Sequence, residues 1–223
     1  MKAVIFDSGT LITLSMNGLL DMLRDLRKIF NGRFIITKEV ENEIVTRPMN
    51  IKKFKLGAIR LKSLIGDGVL EFPVAFNINQ NDISRISKDI LKSANSIYFA
   101  EGKPVHIIDE GEASILALGK LLRDKGIENM IAMDERTTRI LCEKPDNLKN
   151  LLERKLHTKI TEKGVKGWEF HKCNFIRSTE LIFIAYKRGL IPKNKELLDA
   201  MLYGAKFKGA AISGDEIKIM KGL

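Results

Sequence analysis

Ala3-Val4-Ile5-Phe6 is an unbroken apolar run that stops at a carboxylate, Asp7, and then at the turn-forming trio Ser8-Gly9-Thr10. A run without polar alternation predicts a strand buried on both faces, the mark of a central strand in a parallel sheet. Asn129–Met133 repeats the pattern and ends in Asp134-Glu135. Phe34-Ile35-Ile36 is a shorter run of the same kind. Val69–Val74, weakened by Pro73, predicts an edge strand, and Lys172–Ile176 a last one. Helical spacing fills the intervals. Apolar residues from Leu11 to Phe30 recur with Asn17 as a cap and Asn31-Gly32 as a stop. Thr37 caps a helix carrying Val40, Glu43, Ile44 and Val45 that halts near Pro48. Ile51–Ile65 reads as a lysine-rich helix, Asp82–Phe99 as another, and Asp109 opens a third that runs through Leu122. Helix resumes near Arg136. Two more helices, Thr179–Arg188 and Asn194–Tyr203, precede a short terminal element with Ser213 as its cap. Strands alternating with helices in this way predict a parallel sheet with right-handed crossovers.

The pattern degrades between about 144 and 172, where Lys and Arg outnumber Asp and Glu and glycines interrupt. That stretch reads as a basic, loop-rich insertion with Trp168 as its one large anchor. The expected organisation is therefore a domain over 1–176 containing the insertion, and a helical extension over 177–223 packed on it.

Composition narrows the function. Of 223 residues, 44% are apolar and 30% charged, an ordinary globular profile. No stretch approaches the roughly 20 apolar residues of a membrane span. Cys142 and Cys173 are isolated in sequence and form no zinc spacing or disulfide framework, so a cytoplasmic protein is expected, with no membrane partner. The net charge of +10 points to an acidic polymer as partner, RNA or DNA being the commonest.

Four acids stand out by position: Asp7 and Asp134 each end a buried strand, Glu43 follows the cap Thr37, and Glu112 lies in the first turn of the helix opened by Asp109. Carboxylates gathered on one sheet edge suit a divalent cation held by oxygen ligands. Each acid also has a purely structural role open to it. Asp7 and Asp134 can cap helices, Asp109 and Glu112 match a capping box, and Glu43 can be an exposed helix residue.

The order of these segments resembles the PIN-domain family. The resemblance rests on Val4-Ile5-Phe6-Asp7-Ser8-Gly9-Thr10-Leu11, on Thr37-Lys38-Glu39-Val40-Glu41-Asn42-Glu43-Ile44, on Asp109-Glu110-Gly111-Glu112-Ala113, and on Met130-Ile131-Ala132-Met133-Asp134-Glu135-Arg136 with Arg139 downstream. It covers residues 1 to about 142. Ala132 stands where the family often has a hydroxyl. The resemblance implies a three-layer α/β/α fold with a central, mostly parallel sheet of about five strands plus C-terminal helices. It also implies a ribonuclease dependent on magnesium (Mg2+) or manganese (Mn2+), of the kind found in toxin–antitoxin pairs and RNA processing. An antitoxin-like or RNA-processing protein partner is expected with it, and Thr179–Tyr203 offers a surface for a homodimer. Asp7, Glu43, Glu112 and Asp134 are then the catalytic and metal-binding set, with Ser8, Thr10, Asp109 and Glu135 in support. Lys52, Lys53, Lys55, Arg60 and Arg139 would hold the RNA backbone. His106, His157 and His171 lie outside these motifs.

Two alternatives accompany this reading. One is a PIN-like module that binds RNA or protein without cleaving. The other is a phosphatase of the haloacid-dehalogenase type, imitated by Asp7-Ser8-Gly9-Thr10 but lacking the second Asp two residues after the first, which would be the general acid.

Overall fold

A computed structural model describes residues 1–163 and 173–222. Strand β1 (Lys2–Phe6) leads into helices α1 (Ser8–Met16) and α2 (Leu20–Ile29), then strand β2 (Arg33–Ile35), the short helix α3 (Lys38–Glu41) and helix α4 (Lys55–Gly66). Helix α5 (Gln80–Ala94) is followed by strands β3 (Tyr98–Ala100) and β4 (Lys103–Pro104), helix α6 (Glu110–Asp124) and strand β5 (Glu128–Ala132). Helices α7 (Arg136–Glu143) and α8 (Leu148–Leu156), strand β6 (Ile160–Glu162), strand β7 (Phe175–Ile176) and helices α9 (Ser178–Lys187), α10 (Lys195–Phe207) and α11 (Gly214–Gly222) follow in order.

The fold is α/β, with helical layers about a parallel sheet of four strands in the order β2-β1-β5-β7. β1 is central, and Ala3, Val4, Ile5 and Phe6 are all buried, as their unbroken apolar run requires. Removing each of the three larger side chains from water contributes roughly 1.5–3 kcal/mol. The expected fifth strand is reduced to one bridge, Ile35 to Glu71, at the β2 edge. There the Ile36 N–H donates to Glu71 O (2.9 Å) and the Glu71 N–H to Phe34 O (2.8 Å). Pro73 then opens a 3-10 turn, since it lacks the N–H that a longer ladder needs.

Other boundaries moved for similarly local reasons. The apolar stretch after Thr10 is two helices, broken where Gly18 adopts φ 71°. The helix expected to reach Phe99 stops at Ala94. Asn95 accepts the Ile107 and Ile108 amides at 2.6 and 3.1 Å, which turns the chain into β3. Lys52 and Lys53 sit in a turn ahead of α4, not within it. The segment after Lys144 is not a loop where it is described. It supplies α8 and β6, and β6 joins β3 and β4 in a separate antiparallel sheet. Leu148, Leu152 and Ile160 are buried there, a helical pattern diluted by intervening lysines. Trp168, His171 and Lys172 lie outside the described residues.

The residues after Arg177 share the main core, to which α9 contributes Leu181 and Ile182, α10 Leu198 and Leu202, and α11 Ile217. Among the described residues no helix is long and apolar enough to cross a membrane.

Candidate active site: carboxylates at the sheet edge

Asp7 leaves the carboxyl end of β1, level with Met133, because Phe6 pairs with Ala132 and the Asp7 N–H donates to Ala132 O (2.9 Å). This is the edge at which open parallel sheets present ligand-binding groups. Its backbone is extended, and its Oδ2 accepts the Gly9 N–H at 3.1 Å, so it is the N-cap of α1. The fit at Gly9 is close, since a Cβ there would stand 3.0 Å from Asp7 Oδ2. Burial pushes the Asp7 carboxyl up to about 7 against the opposing pull of the Gly9 amide, and the Glu43 charge adds to the rise.

Glu43 arrives by an unusual turn. Thr37 caps α3, accepting the Val40 N–H, but after Glu41 the chain passes into a π-helical turn, Asn42–Thr46. Such turns insert one residue and re-aim the side chains they carry, often at functional sites. The Glu43 carboxylate lies directly against Gly111 in the first turn of α6, where a Cβ would be 2.6 Å from Oε1. A second link fastens the same elements: the Thr37 and Ser114 hydroxyls are 2.7 Å apart. Burial raises the proton affinity of Glu43, the Ser8 hydroxyl lowers it, and the Asp109 charge raises it again.

Asp109 caps α6 and is exposed, yet its charge reaches Asp7, Glu43 and Glu112 alike. Asp7, Glu43 and Asp109 thus form one electrostatic patch. Asp109, which the sequence suggested only as support, is at its centre.

Glu112 and Asp134 are buried beside this patch, with both Glu112 oxygens and one Asp134 oxygen already engaged. Glu112 Oε2 accepts the Asp109 N–H (3.0 Å) and Oε1 accepts the Thr138 hydroxyl (2.8 Å), while Asp109 Oδ1 accepts the Glu112 N–H (2.9 Å). The capping box is therefore real, and Thr138 ties it to α7. Burial still pushes Glu112 up to about 8. Asp134 Oδ1 accepts the Ser178 N–H at the start of α9 (2.8 Å), while Oδ2 is buried without a partner. Burial raises its proton affinity too, and the Ser178 amide works against that. The helix after β5 is capped by Glu135, whose Oε2 accepts the Thr138 N–H at 2.7 Å, and not by Asp134.

Ser8 faces Glu43, and Thr10 is fully buried with its hydroxyl unpartnered. Lys53 and Arg60 line a cavity of about 630 Å3 that also takes in Glu43, Arg47, Phe54 and Ile12. Lys52 and Lys55 are exposed nearby. Arg139 stands apart from these cations: it is half-buried, pairs with Glu143 at 3.6 Å, and acts on Asp134. Gly111, Thr138 and Ser178 were not singled out in the sequence. Only Gly111 left a trace there, as a small residue inside a helix start.

Among the described residues no three Asp, Glu, His or Cys side chains are arranged as ligands of one ion. The donor chemistry nevertheless fits a hard cation. None of Asp7, Glu43, Asp109, Glu112 and Asp134 has a Lys, Arg or His ion-pair partner among the described residues. Buried acids that are ion-paired have lowered proton affinity; in four of these it is raised. Arg47 and Arg139 offset part of the charge on Glu43 and Asp134 from a distance, and an oxygen-rich group of acids of this kind is what Mg2+ or Mn2+ neutralises.

Comparison of the chain with protein families, with curated proteins and with solved structures found no match.

Proposed function

We propose that this protein is a divalent-metal-dependent ribonuclease with a PIN-like site. One observation carries the proposal: carboxylates that make no ion pair among the described residues, and whose proton affinity burial raises, converge where β1 ends and α6 begins. Asp7, Glu43, Glu112 and Asp134, joined by Asp109, would hold Mg2+ or Mn2+. The bound ion would supply a water of lowered pKa and offset charge on the scissile phosphate. The chain's own residues do the rest. The Ser8 hydroxyl and the close approach at Gly111 orient Glu43, and the Gly9 amide fixes Asp7. Lys53 and Arg60, on the cavity that reaches Glu43, would pair with RNA phosphates on either side of the cut.

A second reading is a module that binds RNA without cleaving it. It is favoured by the internal engagement of both Glu112 oxygens and of Asp134 Oδ1. The phosphatase reading is weaker, because Gly9 stands where the second Asp, the general acid, would be.

The test is cleavage of single-stranded RNA by pure protein with Mn2+, Mg2+ or excess chelator. Cleavage that needs the metal and stops with chelator is the expected result. Binding without cleavage under any metal would establish the second reading. Turnover of small phosphate monoesters through an aspartyl-phosphate on Asp7 would establish the phosphatase.

A further inference from the structure

Cys142 is in the last turn of α7, and Cys173 lies two residues before β7. Both elements flank β5, which the Ile131 N–H bonds to Asn174 O at 2.8 Å, so pairing of β5 with β7 draws the two cysteines together. Each thiol is the strongest electrostatic influence on the other, and the Arg123 charge acts on both. Arg123, in the last turn of α6, directs Nη1 to Cys173 Sγ at 3.7 Å. Cys142 is buried and Cys173 half-buried. Packing alone needs only a small apolar side chain at 142. Two thiols and a guanidinium together form a chemical site.

We propose that Cys142 and Cys173 are a redox-active dithiol, modified reversibly to a disulfide by hydrogen peroxide. The pair is asymmetric. The Cys142 S–H bond pulls Cys173 down to about 7, helped by the Arg123 charge, whereas the same bond and burial push Cys142 well above its ordinary value. Cys173, more exposed and more readily ionised, is the attacking sulfur, and Cys142 resolves. The Cys173 thiolate attacks one peroxide oxygen and the O–O bond breaks. Hydroxide leaves and takes up a proton, and Cys173 becomes a sulfenic acid. The Cys142 sulfur, losing its proton, then attacks the Cys173 sulfur; the S–O bond breaks and water leaves. Two thiols lose two electrons and two protons, and one peroxide becomes two waters. A dithiol such as dithiothreitol restores both thiols by exchange. The bond ties the end of α7, the helix whose Thr138 holds Glu112, to the start of β7.

The experiment treats the reduced full-length protein with peroxide and measures intact mass, peptide linkage and melting temperature. The expected result is loss of two hydrogens, a Cys142–Cys173 linked peptide, and a melting temperature higher by about 5–10 °C that dithiothreitol reverses. Cys142→Ser should stop at a sulfenic acid on Cys173, trapped by dimedone, and Arg123→Gln should slow alkylation of Cys173 several-fold. Independent oxygen addition at each cysteine, disulfides only between molecules, or no reaction of the wild-type protein would overturn the proposal, whatever the variants do.

Discussion

The acidic edge has two halves built from the same side chains. In one, Asp7, Glu43 and Asp109 spend few of their oxygens on the fold: Asp7 caps α1 through one oxygen, and Glu43 rests against a glycine. In the other, Glu112 has both oxygens occupied by the Asp109 amide and the Thr138 hydroxyl, and Asp134 fastens α9 through Ser178. Burial raises proton affinity in both halves, so desolvation does not distinguish them. What distinguishes them is acceptor capacity. An acid with free lone pairs can take a ligand at no cost to the fold; an acid that satisfies two buried donors must first give them up.

The largest effect expected from this contrast is on Asp7→Asn. Asparagine caps a helix as well as aspartate, so the fold keeps its Gly9 contact while one ligand charge is lost. RNA cleavage should fall by about two to three orders of magnitude. At pH 8 without metal, the melting temperature should rise by several degrees, because holding a charged Asp7 costs up to roughly 4 kcal/mol when its pKa moves from 3.8 to about 7. Glu112→Ala also removes a buried charge, but it strands the Asp109 N–H and the Thr138 hydroxyl, at about 1–3 kcal/mol each, so its melting temperature should rise less than that of Asp7→Asn. Parallel melts, with and without Mn2+, decide it; equal shifts in the two variants would erase the distinction between the halves.

The next effect is in pH. Asp7 and Glu112 titrate near 7 and 8 in the folded chain, against 3.8 and 4.5 ordinarily. The unfolded chain therefore releases these protons first, and stability is highest below about pH 4 as far as these groups decide it. It falls as pH rises towards 8. Burial, the largest single effect on Glu216, raises its proton affinity, but its bonds to Ser213 and Arg177 together outweigh it and hold the group at about 2, so it has finished titrating below this range. Urea midpoints of chelator-treated protein should drop between pH 5 and pH 8, and Mn2+ should restore the loss. A flat or rising profile would mean that these carboxyls are solvated.

The smallest effect tests the close approach at Gly111. Gly111→Ala places a Cβ 2.6 Å from the present Glu43 Oε1, so the carboxylate must move. Alanine is also the better helix former by about 1 kcal/mol, which offsets part of the crowding. Stability should change little, while cleavage falls roughly tenfold. Unchanged cleavage would remove Glu43 from the site.

What was readable in the chain was whatever neighbouring residues decide. The apolar runs ending at Asp7 and before Asp134 marked β1 and β5, because a strand buried on both faces has no polar alternation. Asp109, Glu112 and Ser213 were readable as caps, since a cap is satisfied within three residues. Tertiary structure alone decided the rest. Glu43 reaches Asp109 only because a π turn re-aims it and Gly111 leaves room. Asp134 turns to Ser178 because α9 presents a bare amide there, and Arg139 is drawn to Glu143 and Asp134 instead of to solvent. The antiparallel sheet of β3, β4 and β6 was hidden for the same reason. Its strands are two or three residues long, too short to carry a period, and they exist only where distant segments meet.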